Sequence, residues 1–408
     1  MEELSAKFTE QTGIRVNFTI LSENEIRSKI TQDVAFGGGQ FDLVTLGTSD
    51  TATYLDNGWA LNLDILFAAM PANERAAYDL DDIFGSVKDS MTSATKGGLA
   101  GLPFYSESTM VFYNREIFAA KGLTMPANPT WDDIYNLAVK ANDPAQGICG
   151  IAFRGLPGYG QNMYIFGVLV NSFGAQYYDM NWNAKFNTPE MRNALEYYKK
   201  LIKDTGEPSP TTCGYTECLN LMASGKAAMW YDATVSAGTL ANSSDSQVKG
   251  KIGYAISPVA VKKKNTGTIG GWGISITAGT KHPAEAFKFL TWCTSKEYVR
   301  LVGETKGWKL APSGTRKSTY SIPQYQAECD FAEITRDSIL AVDYAQPAVN
   351  PTPYTGNSLP NLPEYSSWGE ACAQELAAYI ADQRTVEQVM QNCQRILEDA
   401  AVEGGYKK

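Results

Sequence analysis

The sequence predicts an α/β protein in which mostly parallel sheets are flanked by helices. Three observations carry this reading. The first third alternates strand-like apolar runs with amphipathic helices, and the helix-rich middle runs through a Gly225 stop into further strands. The third is size: 408 residues, 44% hydrophobic and 19% charged, are too many for one ordinary core and enough to fill two or three.

Taken in order, "MEELSAKFTEQTG" reads as a helix with Met1, Leu4 and Phe8 on one face and Gly13 as its C-cap. In "IRVNFTI", Ile14, Val16, Phe18 and Ile20 recur at period two, which predicts a strand. "ENEIRSKITQDVAFGG" is the next helix, and "FDLVTLG" is a short apolar strand of the kind covered on both faces. "GLPFYSESTMVFYNREIF", Gly101 to Phe118, reads as a strand leading into a helix. Its centre places Ser106, Glu107, Ser108 and Thr109 among aromatic rings, which a plain core strand does not need.

From Pro129 to Gly253 helices dominate. Thr130 caps "WDDIYNLAVKA", with acids in its first turn. Thr188 caps a second helix that has Pro189 at its first position and Gly206 at its end. "ECLNLMASGKAAMWY" is a helix, a Gly225 stop and a strand; "KIGYAISP" and "GGWGISI" are strands, and "HPAEAFKFLTWCTS" is a helix. "NPTPYTGNSLPNLPEY" is Pro-rich, but its Leu and Tyr residues give it something to pack, so it reads as an ordered loop.

Bulk properties exclude several functions. Net charge is −9, and the one short basic run, Lys262-Lys263-Lys264 before Asn265, reads as a solvated loop, so nucleic-acid binding is not expected. A single histidine, His282, argues against a zinc centre or histidine catalysis, and no metal or cofactor is implied. The seven cysteines have no C-x-x-C spacing; Cys213 and Cys218 fit either a small disulfide loop or two unrelated buried thiols. No apolar run reaches the roughly 18–20 residues of a membrane span. The first residues lack the basic start and apolar stretch of a signal peptide, which taken literally means cytosolic. A chain that opens on a packed helix with no lead-in strand nonetheless reads as truncated or started at an internal Met.

Ligands of open parallel sheets bind beyond the carboxyl ends of strands. The residues just past the apolar runs are Ser22-Glu23-Asn24, Thr48-Ser49-Asp50, Tyr105-Ser106-Glu107 and Tyr231-Asp232-Ala233-Thr234. Hydroxyls and amides beside carboxylates and rings suit a polyhydroxylated ligand, whose hydroxyls both donate and accept while its C–H faces leave water against flat rings. Trp230 and Trp272 are ring candidates, with core packing the alternative for each. Arg154, in the Gly-rich "FRGLPGYGQN" that also holds Tyr159, either clamps a hydroxyl pair or bridges a nearby acid. Glu107 and Asp232 as a glycosidase pair have no support from spacing.

"FYSESTMVFYNREIFAAKGLTMPANPTWDDI", "MASGKAAMWYDAT", "IGGWGISI" with "HPAEAFKFLTWCTS", and "GWKLAPSGTRKSTY" together resemble, in order and over nearly the whole chain, the family 1 extracellular solute-binding proteins of ABC transporters, which include maltose-binding protein. "GGQFDLVTLGT", "YSESTMVFYN" and "PSGTRKSTY" are most similar to the sorbitol/mannitol polyol-binding branch. The resemblance implies a two-lobed periplasmic-binding-protein fold of type II-like topology, each lobe a mostly parallel sheet flanked by helices, with a ligand cleft between lobes. The lobes are expected at 1–109 with 269–310 and at 110–268 with 311–408. It implies a monomeric, non-enzymatic binding component of an importer that takes a sugar alcohol or related sugar by hinge closure and is read by permease subunits in the inner membrane. A periplasmic location would follow from an exported precursor. A polyamine- or oligosaccharide-binding protein of the same fold is the alternative, with a glycosidase behind it. The ligand set is expected at Glu23, Ser49, Tyr105, Glu107, Arg154, Tyr159, Trp230, Asp232 and Trp272, with no catalytic residue.

Overall fold

A computed structural model of the protein describes residues 1–242, 244–264 and 266–407; Asn265, placed above in the loop after the lysine run, lies outside them. The chain divides into two compact units, Met1–Ser106 with Gly271–Glu328 and Glu107–Gly270 with Cys329–Lys408. Each unit is built on a three-stranded sheet.

The first unit holds β1 (Leu43–Gly47), most of β2 (Leu102–Glu107) and most of β6 (Gly270–Ile276), in the order β1-β6-β2. Strand alternation assigns its two faces. Val44 and Leu46 point to Ile30 and Val34 of the helix Glu23–Ala35, while Leu102, Ile274 and Ile276 point to Phe8, Leu63, Phe67 and Phe289. The sheet is thus covered on both sides, as the apolar run at 43–46 predicts. The opening helix Ser5–Thr12 ends on Gly13 at φ 74°, whose N–H returns to the Thr9 carbonyl.

The second unit holds β3 (Thr109–Asn114), β4 (Met229–Ala233) and β5 (Ile252–Ile256), in the order β4-β3-β5. All five residues of β4 are buried, and so is every residue of the helix Asn162–Ser172, which is apolar nearly all round. The helix caps predicted from sequence are present: Thr130 accepts from Asp133 N–H at 3.0 Å and Thr188 from Met191 N–H at 3.3 Å. Asn114 is a further cap, accepting from Glu116 N–H at 3.0 Å. The Pro-rich stretch is ordered as expected: Tyr354, Leu359 and Leu362 are buried, and the Ser358 hydroxyl meets the Thr268 hydroxyl at 2.9 Å.

Four expectations change. The pairings β1/β6, β3/β4 and β3/β5 run antiparallel, and parallel neighbours occur as single bridges such as Ala152 with Trp230. Apolar runs set burial, not the direction from which a strand re-enters its sheet. Residues 14–20 are not in a strand: Ile14, Val16 and Phe18 do pack inward, but a strand also needs a ladder, and none forms there among the described residues. Residues 311–328 pack with the first unit rather than the second. Buried Arg316 holds them there, bonding the Thr294 carbonyl at 2.8 Å, the Asp79 carbonyl at 3.1 Å and Asp82 at 3.3 Å. Lys263 and Lys264 are exposed, but Lys262 is partly buried and caps the carbonyls of Gln346 and Pro347. Among the described residues no helix is long and apolar enough to cross a membrane.

Candidate functional site

In the first unit, Ser22 caps the helix Glu23–Ala35 through a box with Glu25, which places Glu23 in the first turn and Arg27 one turn on. Arg27 bonds Glu23 at 3.2 Å and makes a close ion pair with Asp50, just past β1. Its guanidinium lies 4.3 Å from the centre of the Trp272 ring, a cation–π distance. The register explains the meeting, since Gly47 at the end of β1 is paired with Trp272 at the start of β6. A Cβ on Gly47 would fall 2.9 Å from the Arg27 Nη2, so the guanidinium lies where only glycine leaves room. Thr48 and Ser49 follow, both buried, and neither hydroxyl has a hydrogen-bond partner among the described residues. Buried polar groups are rarely left so without water or ligand to meet them. Tyr105 is partly buried near the end of β2, edge-on to Phe104 at 4.8 Å.

In the second unit, the parallel bridge between Ala152 and Trp230 sets Arg154 opposite Asp232 two residues further along both chains. Arg154 Nε donates to Asp232 Oδ2 at 2.8 Å and Nη2 to Oδ1 at 2.5 Å, while Nη1 donates to the Gly160 carbonyl at 3.0 Å. The guanidinium lies against the rings of Tyr164 and Tyr215, at 4.9 and 5.0 Å from their centres. Asp232 also accepts from Trp230 Nε1 at 3.0 Å and from the Ala233 N–H at 2.7 Å. Four donors fill the lone-pair positions of this carboxylate. That arrangement fixes Arg154.

Trp230 is fully buried, stacked on Phe112 at 5.2 Å. Glu107 accepts from the Tyr164 hydroxyl at 3.4 Å, and a Cβ on Gly270 would meet the Tyr164 ring at 2.9 Å and Glu107 Oε1 at 3.0 Å. Burial, then the Glu107 carboxylate, pushes the Tyr164 phenol well up, and burial pushes Tyr215 up to about 12. Both are therefore neutral hydroxyls at physiological pH. Tyr215 also meets the Ser236 hydroxyl at 3.1 Å.

The structure thus brings Glu107, Arg154, Trp230 and Asp232 together in one unit, and Glu23 and Trp272 together through Arg27 in the other. The Tyr159 N–H bonds Glu370 at 3.2 Å and its carbonyl accepts from Tyr365 at 3.1 Å. Arg154 bridges an acid, Asp232, as one of its two sequence readings has it. Sequence reasoning missed Arg27, Tyr164 and Tyr215. Arg27 left a signal, the i, i+4 spacing from Glu23; the tyrosines left none. All seven cysteines are buried thiols, and the sulfurs of Cys213 and Cys218 lie 3.4 Å apart.

The chain belongs to the bacterial extracellular solute-binding protein family, whose profile matches residues 1–300. Across its whole length it is 35% identical to the mannitol-binding protein of Pseudomonas aeruginosa, covering 91% of that protein. It is 37% identical to a solute-binding protein of Agrobacterium vitis S4 solved with bound D-mannitol, at TM-score 0.93, with 100% of this chain and 96% of that one covered. A ribitol complex from Agrobacterium radiobacter K84 shares the fold at TM-score 0.83 and 23% identity, covering 98% of this chain and 94% of that one.

Proposed function

We propose that this protein is the substrate-binding component of an ABC importer and that it binds a C5 or C6 sugar alcohol. The full-length likeness to a mannitol-binding protein and to a D-mannitol complex is the observation that carries the reading. The clusters around Arg27 and Arg154 fit it, since they offer ring faces and hydroxyl-compatible donors and acceptors. The ligand contacts proposed are Glu23, Ser49, Tyr105, Glu107, Arg154, Tyr159, Trp230, Asp232 and Trp272. Binding acts by hinge closure: ligand favours the closed conformer by its differential affinity, and no bond is made or broken. The protein works as a periplasmic monomer, and permease subunits in the inner membrane read the closed state.

Calorimetry with mannitol, sorbitol, xylitol and ribitol tests this. At least one should give a tight 1:1 isotherm. Flat traces for all four, with heat from a disaccharide or spermidine, would reassign the ligand. Release of reducing ends from glycans would make the protein a glycosidase instead.

A further inference from the structure

Tyr215, whose ring lies on the Arg154 guanidinium, is the first residue of the helix Tyr215–Ala223. Helix ends fray, so a side chain placed there is held only as well as its turn is held. This turn is tied to the Arg154 segment through the backbone: the Cys213 carbonyl accepts from the N–H of Gly155 at 2.9 Å and from that of Leu156 at 3.0 Å. The Tyr215 N–H bonds Gln161 Oε1 at 3.1 Å, and Glu217 accepts from the Gly214 N–H at 2.9 Å. Two thiols bracket the turn. Cys213 and Cys218 are 2% and 0% exposed, with their sulfurs 3.4 Å apart. All of these residues belong to the second unit.

We infer that Cys213 and Cys218 close into a disulfide whose role is to hold Tyr215 on Arg154, so that the bridge raises polyol affinity as well as stability. The inference rests on the periplasmic, polyol-binding reading above. The bond forms by thiol–disulfide exchange with a disulfide donor of the oxidising compartment. One cysteine thiolate attacks the donor, and the second cysteine resolves the mixed disulfide. The donor's S–S bond breaks as this one forms, and the donor leaves as two thiols that carry the two electrons and two protons. The bridge runs from the residue before Gly214 to the fourth residue of the helix, so Tyr215 lies inside the closed loop. A loop already held in its bound shape leaves less ordering to be done when ligand arrives, and that saving is read as affinity. The bridge is thus a positioning device, acting on the ligand through Tyr215 and Arg154.

The test uses the full chain in two preparations, one oxidised with glutathione disulfide and one kept throughout in a phosphine reductant. Mass spectrometry of unreduced peptides should find Cys213 joined to Cys218 in the first. Calorimetry with D-mannitol, at a temperature where both preparations are folded, should give a Kd about fivefold or more lower for the oxidised protein. The same comparison in Tyr215→Ala should give a difference below about twofold, because the ring that the bridge positions is gone. Should that variant not fold, Tyr215→Leu, which fills more of the same space, takes its place. Cys213→Ala combined with Cys218→Ala should bind like the reduced protein and ignore the oxidant. A bridge that serves stability alone would move the melting temperature and leave the Kd values equal. Equal Kd values in wild type, a different cysteine pairing, or a redox difference undiminished without Tyr215 would each overturn the inference. Wild type that binds no polyol in either state would instead sink the functional reading and the binding role with it, while mass spectrometry still judges the bridge.

Discussion

Arg154 and Asp232 form a two-pronged ion pair sealed inside the second unit, with bonds of 2.8 and 2.5 Å and side chains 5% and 0% exposed. Removing one partner of such a pair costs about 3–5 kcal/mol, because the other charge stays buried and alone. Asp232→Ala should therefore lower the ligand-free melting temperature as well as weaken polyol binding. Asp232→Asn, which keeps the shape, should lose less of both. An Asp232→Ala protein that melts like wild type would contradict the structural role given to this pair.

The two tryptophans should separate cleanly. Trp230 is fully buried against Phe112, so Trp230→Ala should cost about 3–5 kcal/mol of stability. Trp272 is only partly buried. Trp272→Ala should weaken mannitol binding by about tenfold or more, equivalent to about 1.4 kcal/mol per decade, with a much smaller change in melting. Paired melting curves and isotherms on both variants check it, and equal losses of stability would refute the contrast.

Gly270→Ala places a methyl 2.9 Å from the Tyr164 ring and 3.0 Å from Glu107 Oε1. Forcing an extra carbon into such a contact costs about 1–3 kcal/mol. The expected result is a Kd raised by about 5- to 100-fold through displacement of the Tyr164–Glu107 pair. Gly85→Ala is the control, since nothing lies within 4 Å of a Cβ there. It should leave binding unchanged.

Burial raises the Glu207 carboxyl above its ordinary range, against one Ser209 N–H at 2.8 Å that favours the charged form. Its Oε1 is buried with no partner among the described residues. The folded state thus holds the proton more tightly than the unfolded one. Relative to a neutral side chain, the fold loses stability as pH rises from the ordinary value through the raised one. Glu207→Gln should therefore raise the melting temperature at neutral pH, and the gain should vanish below about pH 4. Melts across that range decide it; a gain that persists in acid would contradict the assignment.

Cys213 and Cys218 lie with their sulfurs in contact, so an oxidised preparation should yield the bridged peptide in unreduced mass spectrometry. The loop is short and the stabilisation correspondingly modest, about 2 kcal/mol on the chain-entropy account. Two unreacted thiols after oxidative preparation would rule out the pair.

The chain's local grammar was legible without coordinates. Thr130 and Thr188 cap the helices they precede, Gly13 ends the first one, and Val44 and Leu46 face a helix as their apolar run requires. Capping and periodicity act over a few residues, so the neighbours in sequence suffice to specify them. The residue types of the polar clusters were legible for the same reason, as hydroxyls and carboxylates at the ends of apolar runs.

Pairing was not legible. Ile14, Val16 and Phe18 alternate as a strand does, yet a strand exists only if another segment supplies a ladder, and period two carries no information about that segment. The antiparallel course of β6 beside β1 joins residues more than two hundred positions apart. Arg316 reaches back to Asp82 across 234 positions, which is why residues 311–328 belong to the first unit. Arg154 and Asp232, 78 positions apart, were each singled out, but only the tertiary structure made them partners and laid two tyrosine rings against Arg154. Sequence by itself determined several of the helices with their caps, and the buried faces of the opening helix and of β1. The tertiary structure decided which charges are already spent on one another, because an ion pair depends on separation in space and chain distance does not encode it.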